Sequence, residues 1–243
     1  MGVGPGVAPF LTERIGLAVL PHYERAGTEP VAPLGYLDPC PPVLQDPDWS
    51  APGPVLPIRA QAHRRPAGTT IELPAFADPG RPMVLLTLGT VFSDGATLTA
   101  CTAAVADAEV NVLATLGAAL PQPPEVHGAG EVCFVPFAPL DQLLDGVALV
   151  VAVGGSGTVL AAMSRGIPMV LLPQGADQPV TAARAAAAGV ATVVGSSAEL
   201  TNAVAQALGD STLRARAAEA AAYIAENPAP SEVIAMLTKT AGA

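Results

Sequence analysis

Charge is scarce in this chain. Of 243 residues only 13% are Asp, Glu, Lys or Arg, and 11 basic residues against 21 acidic ones leave a net charge of −10. A nucleic-acid surface needs clustered cations. Here they are scattered, and His63-Arg64-Arg65 reads as a solvated loop, so no nucleic-acid partner is expected. Cysteine is equally sparse. Cys40, Cys101 and Cys133 make neither a metal-binding spacing nor an even disulfide framework. Cys101 and Cys133 sit in apolar contexts as inert core thiols, and a reducing, cytoplasmic compartment fits best. No apolar run approaches the roughly 20 residues of a membrane span. The opening Met1-Gly2-Val3-Gly4-Pro5-Gly6 lacks the basic and apolar regions of a signal peptide. Histidine occurs three times, at positions 22, 63 and 127, and never later.

What is present is hydrophobic residue, at 51%, enough for a large core. The 26 prolines crowd the first third. Residues 1–80 read as one helix near Ala8 to Arg25 followed by irregular, proline-punctuated chain, because prolines lack a donor and restrict their predecessors. Such a segment rarely folds alone and is expected to pack on something else or to serve as a linker. From Pro82 the rhythm becomes strand and helix in alternation. Strands are expected at 83–88, 110–116, 133–135, 149–153, 169–172 and 190–194. Helices are expected at 96–107, 140–144, 158–165 and 179–188, the last two stopped by Gly166 and Gly189. Ser196-Ser197-Ala198-Glu199 has the pattern of a capping box opening a helix to Leu208. Two C-terminal helices follow, broken at Asn227-Pro228-Ala229-Pro230. Repeated β–α units with buried strands predict an α/β domain, a Rossmann-like doubly wound parallel sheet over residues 81–243.

Ligands of such sheets lie beyond the carboxyl ends of the strands. Three loops are placed there: Gly89-Thr90, Gly154 to Thr158, and Gln174 to Gln178. The central one follows a fully apolar strand, Leu149 to Val153, and opens a helix. Main-chain N–H groups at a helix start have no internal partner and carry the positive end of the dipole. Glycines remove the side chains that keep an anion away. Gly154-Gly155-Ser156-Gly157-Thr158 is not a P-loop, since no Lys precedes the Ser or Thr. It is not a nucleophile elbow, since Thr158 stands where the last glycine belongs and no histidine follows. A diphosphate cradle and a plain strand–helix turn both remain open. Asp177 and Gln178 suit hydrogen bonding to sugar hydroxyls, and equally suit capping the helix behind them.

Taken together, in this order and spacing, these loops resemble the C-terminal, donor-binding half of the two-Rossmann (GT-B) nucleotide-sugar glycosyltransferases, those of actinobacterial macrolide and natural-product pathways above all. Val84 to Phe92 is similar to their opening strand and loop. Phe134-Val135-Pro136-Phe137 resembles their nucleobase-flanking segment, and Tyr36 to Pro42 a stretch late in their acceptor half. The resemblance implies one half of a GT-B fold, with residues 1–80 as the end of the acceptor half and a linker. It implies a diphosphate site of Gly89, Thr90, Gly154, Gly155, Ser156, Gly157 and Thr158. Val135 and Phe137 would flank the nucleobase, and Asp177 and Gln178 would contact the sugar. The implied co-substrate is a UDP- or dTDP-sugar, with no metal and no resident cofactor, and the implied reaction is inverting transfer to a small-molecule hydroxyl. The family's catalytic base lies in the acceptor half, so no residue here is assigned that role. A separate acceptor-domain protein or a homodimer is the expected partner. The chain departs from the family at Ala152 and Val153, where a histidine pair is usual, and at Phe137 and Ala148. These departures admit the alternative of a non-catalytic auxiliary homologue.

Overall fold

The computed structural model of this protein describes residues 8–29, 35–46, 48, 50–51, 53–64, 72–89, 95–116, 122–136 and 138–241. A first helix, α1 (Ala8–Ala26), is exposed along residues 14–26. Two short parallel strands follow, β1 (Tyr36–Asp38) and β2 (Val55–Pro57), paired with Tyr36 opposite Val55. Between them runs a 3-10 turn at Pro42–Leu44. The expected irregular stretch thus contains a small sheet, short because prolines withhold ladder donors.

The body is built from β3 (Met83–Thr87), α2 (Gly95–Ala106), β4 (Asn111–Thr115), β5 (Val132–Val135), α3 (Leu140–Leu143), β6 (Leu149–Ala152), α4 (Ser156–Ser164), β7 (Met169–Leu171), α5 (Gln178–Ala187), β8 (Ala191–Val193), α6 (Leu200–Gly209), α7 (Ser211–Glu226) and α8 (Pro230–Ala241). The six larger-sheet strands lie in the order β5-β4-β3-β6-β7-β8, all parallel. The strand order reverses between β3 and β6, where loops leaving neighbouring strands turn to opposite faces and open a crevice.

Both faces of the sheet are covered, as near-continuous Val, Leu and Ile strands require. Leu85, Leu113, Val150, Met169 and Leu171 meet α4 and α5 through Val159, Met163, Ala182 and Ala185. Val84, Leu86, Val112 and Val151 meet α2 and α6 through Leu98, Cys101, Leu200 and Val204. Each buried Val, Leu or Met side chain among these contributes about 1.5–3 kcal/mol. Leu44, Ala60 and Ala62 join the first of these cores, so residues before position 80 pack on the body. Polar ties reinforce that docking. The Arg184 guanidinium of α5 pairs with Asp46 at 2.8 Å, and Arg59 donates from its backbone to the Pro228 carbonyl at 2.8 Å and from Nε to the Asn227 carbonyl at 2.9 Å.

The helix ends mostly follow local chemistry. Gly166 and Gly189 take positive φ at the stops of α4 and α5. Asp210 caps α7, its carboxylate accepting the N–H groups of Thr212 and Leu213 at 2.8 and 3.0 Å. The capping box at Ser196 does not form. A 3-10 turn at Ser197–Glu199 intervenes before α6, and Ser196 instead donates its hydroxyl to Glu199, which also accepts the Gly195 N–H. The tighter turn sends the Glu199 N–H to the Ser196 carbonyl and leaves the Ser196 side chain out of capping geometry. Among the described residues no helix is long and apolar enough to cross a membrane.

Candidate functional site

β6 is buried from end to end, and the turn behind it is shaped by its glycines in two different ways. Gly154 has φ +85°, and a Cβ there would stand 3.3 Å from the Gln178 carbonyl oxygen and 3.4 Å from the Ala182 Cβ. The fold itself demands that glycine. Gly155 and Gly157 are different. Gly155 is the N-cap of α4 at φ −61° and ψ 137°, a conformation open to any residue. Among the described residues a Cβ at either position meets nothing within 4 Å. Among the described residues no side chain caps this helix start, and the N–H groups of Thr158 and Val159 turn inward to the Gly155 carbonyl. The first turn of α4 carries the positive end of the helix dipole at this glycine-flanked start.

The neighbouring loops close on this turn. Gly89 follows β3 at φ +73°, and a Cβ there would lie 3.9 Å from a Val153 methyl. Thr90 falls outside the described residues. On the other side the turn touches α5 through the Gly154–Gln178 approach. The three loops named from the sequence therefore leave neighbouring strands at the carboxyl edge of the sheet, with Gly89 near Val153 and Gly154 near Gln178. Ala152 and Val153, where the resemblance leads one to look for histidines, are 1% and 5% exposed and belong to the core.

The loop from Gln174 to Gln178 divides its labour. The Gln178 side chain, almost buried, accepts the N–H groups of Gln174 and Gly175 at 2.8 and 3.1 Å and so holds the loop's shape. Ala176 sits at φ +56°, left-handed backbone that a non-glycine residue rarely takes. Asp177 occupies the N-cap position of α5 with αR backbone, and its carboxylate makes no capping bond. Its carbonyl accepts from the Thr181 N–H and hydroxyl. Of the two readings of this pair, bracing belongs to Gln178 and the uncommitted polar group to Asp177. Asp177 is also the only ionisable residue in segments 87–90, 152–158 and 173–178, so attraction for an anion here rests on the main chain.

Val135, the last residue of β5, is buried in the first of the two cores, and Phe137 lies outside the described residues. The sequence reading passed over one polar feature at the same edge. The hydroxyls of Thr87 and Thr115, at the ends of β3 and β4, are hydrogen-bonded at 3.0 Å. Each threonine reads locally as an ordinary β-former, and only the strand pairing brings them together. A cavity of about 340 Å³ opens on the α2 side between Thr97, Leu172, Gln174 and Ser196. It adjoins the Gln174 loop, and Gln174 itself lines it, but none of the residues assigned to the diphosphate, the nucleobase or the sugar does. Among the described residues no group of three or more His, Cys, Asp or Glu side chains is placed to hold a metal ion.

Comparison with known proteins adds to this geometry. The family described as "Erythromycin biosynthesis protein CIII-like, C-terminal domain" matches residues 97–240. Demethyllactenocin mycarosyltransferase of Streptomyces fradiae is 32% identical over 117 residues, covering 45% of this chain and 24% of that protein. The glycosyltransferase SnogD from Streptomyces nogalater is 26% identical, with a TM-score of 0.79 over 98% of this chain and 65% of its own. The glycosyltransferase SsfS6 of Streptomyces sp. SF2575, solved in complex with thymidine diphosphate, is 25% identical with a TM-score of 0.68 over 91% of this chain and 57% of its own. The match thus spans about a quarter of the curated mycarosyltransferase and about two thirds of SnogD.

Proposed function

Since the chain belongs to the erythromycin biosynthesis protein CIII-like C-terminal domain family, we propose that it forms the donor-binding half of a glycosyltransferase. Residues 81–243 hold a UDP- or dTDP-sugar, and residues 1–80 are the end of an acceptor half with its linker. The observation that carries the reading is the start of α4. Among the described residues neither backbone conformation nor packing requires Gly155 or Gly157, and they clear the approach to a helix N-terminus that no described side chain caps.

In this reading the diphosphate lies against the first turn of α4, at the main-chain donors of Gly155 to Gly157 and beside Thr158, with Gly89 and Thr90 closing the opposite side. As the bond from the anomeric carbon to the diphosphate breaks, charge grows on the departing oxygen. Preorganised N–H groups then stabilise the transition state more than the ground state. Asp177 accepts hydrogen bonds from sugar hydroxyls and so fixes which face of the anomeric carbon is open. Gln178 keeps the loop in register. Val135 and Phe137 mark the nucleobase end. An acceptor hydroxyl attacks from the far side, with inversion, after losing its proton to a base outside the residues assigned here. The protein's own residues supply the charge stabilisation in this scheme without a metal. A small-molecule natural product is the acceptor.

The test is calorimetric titration with UDP, dTDP and their sugars, followed by an assay for glycosyl transfer. Binding is expected from the 243 residues alone, and turnover only with an acceptor-binding partner. No heat with any nucleotide at millimolar concentration would end the donor-site reading.

A second reading, a non-catalytic auxiliary that steadies a partner enzyme, is favoured by the buried Ala152 and Val153, which offer no side-chain donor to a diphosphate. Nucleotide binding with no turnover, even beside a cognate acceptor-binding protein, would select it.

A further inference from the structure

We infer that the Thr87–Thr115 hydroxyl pair is a hydrogen-bond donor to the diphosphate of a bound nucleotide, an inference that rests on the donor-site reading above. The pairing of the strands sets Thr115 opposite Val135, Thr87 opposite Ala152, and Ala152 opposite Leu171, with β3 and β4 in matching register through Leu86 and Ala114. The last row of the sheet is therefore Val135, Thr115, Thr87, Ala152 and Leu171. Alternate strand residues project to one face, and this row shares the face of Leu85, Leu113 and Val150, the face that α4 covers. An apolar side chain would serve as a strand end at any of these five positions. Val135, Ala152 and Leu171 are indeed apolar and buried, whereas the two threonines are half-buried.

Two hydroxyls carry two protons, and the 3.0 Å bond between them uses one. Whichever oxygen donates within the pair, the other hydroxyl keeps a proton to give. Among the described residues neither oxygen has a second hydrogen-bond partner. The place of the pair decides what takes that proton. Gly89 lies two residues beyond Thr87 on the same strand path, and Gly154 two residues beyond Ala152, the residue directly opposite Thr87. Thr87 thus lies at the foot of the two loops that flank the switch point, with Thr115 one strand farther out on β4, and Ala152 on the other side of Thr87 contributes only a methyl. A phosphate oxygen is a strong, charged acceptor, and a hydrogen bond to a charged group is roughly twice as strong as a neutral one. Beside the main-chain N–H groups at the start of α4, the pair adds a side-chain donor that reaches from the sheet itself.

Valine copies threonine's shape and favours strands, so Thr87→Val with Thr115→Val removes the donors and keeps the branch. The double variant is expected to bind UDP and dTDP about tenfold more weakly or worse. Each single valine variant retains one hydroxyl with a proton to give and is expected to lose less, which keeps the series informative if the double variant folds poorly. The Thr87→Ser, Thr115→Ser double variant is expected to hold wild-type affinity. Uridine and thymidine, which lack phosphate, are expected to bind the valine and wild-type proteins alike. Unchanged UDP and dTDP affinity in a folded double valine variant would overturn the inference. So would a serine variant as weak as the valine one, which would assign the effect to packing, or an equal loss for the nucleosides. A wild-type protein that binds neither UDP nor dTDP overturns the donor-site reading, and this inference with it.

Discussion

Replacing Gly155 with valine separates a ligand site from an ordinary turn, because the two make opposite demands on that position. At φ −61° and ψ 137° a branched side chain is conformationally allowed, and its Cβ would enter space empty to 4 Å. Two small effects on stability oppose each other. Valine is a poorer N-cap than glycine by about 0.5–1 kcal/mol. Removing a glycine from a compatible site restricts the unfolded chain and returns about 0.4–1 kcal/mol. The net change stays within about 1 kcal/mol, a melting-temperature shift below about 4 °C for a chain of this size. Binding responds quite differently. The isopropyl group occupies the approach to the first turn of α4 and denies a diphosphate its main-chain donors. Losing two hydrogen bonds to a charged group, at about 1.5–3 kcal/mol each, weakens binding by at least about a hundredfold. The assay pairs thermal melting with calorimetric titration of UDP and dTDP. Gly154→Ala is the control: its φ of +85° costs a side chain about 1–2 kcal/mol, and the Cβ also crowds the Gln178 carbonyl at 3.3 Å. That variant is expected to melt lower by several degrees. Gly155→Val with wild-type melting and wild-type affinity would refute the reasoning, since the ligand would then sit elsewhere.

Three further outcomes follow from the same geometry. Gly157→Ala, in the first turn of α4 with nothing within 4 Å of the new Cβ, is expected to raise the melting temperature through a helix-propensity gain of up to about 1 kcal/mol while lowering nucleotide affinity; a rise with affinity intact counts against the cradle. Asp177→Ala removes no capping bond and is expected to leave melting nearly unchanged, while weakening a sugar nucleotide more than the bare diphosphate; calorimetry showing equal losses would make the carboxylate a loop-building group. The Cys40 thiol is pushed up to about 12 from an ordinary 9.0, by burial first and then by the charge of Asp38. Its contribution to stability is full below about pH 9, where neither state is ionised, and is lost as pH rises toward 12, because the unfolded thiol ionises first. Cys40→Ala is accordingly expected to lose melting temperature less steeply than wild type between pH 9 and 11, and parallel slopes would contradict the assignment.

Much of the body was readable in advance because each element carries its own signal. β6 is an unbroken apolar run, α5 begins with Pro179 just inside and ends at Gly189, and α7 lies between Asp210 and the proline pair at 228 and 230. Readings failed or stayed open where two local solutions have similar energy. Ser196 and Glu199 satisfy the pattern of a capping box and of a 3-10 turn alike, and packing of Leu200 against the α2 side accompanies the turn. Asp177 and Gln178 are both good caps and good sugar contacts. The sequence did not show that the long side chain of Gln178 reaches back to the N–H groups of Gln174 and Gly175, a matter of three-dimensional reach.

The order of residues alone determined that strands and helices alternate from position 83 onward and that glycines sit where a buried strand hands over to α4. Periodicity, turn chemistry and propensity act over a few residues and need no distant partner. Tertiary structure alone decided that β3 and β6 lie side by side, that Gly89 meets Val153, that Gly154 meets Gln178, and that Thr87 finds Thr115. Those contacts depend on strand register across a sheet whose neighbours are distant in sequence. Register follows from burying both faces at once, and no single stretch of chain carries that information.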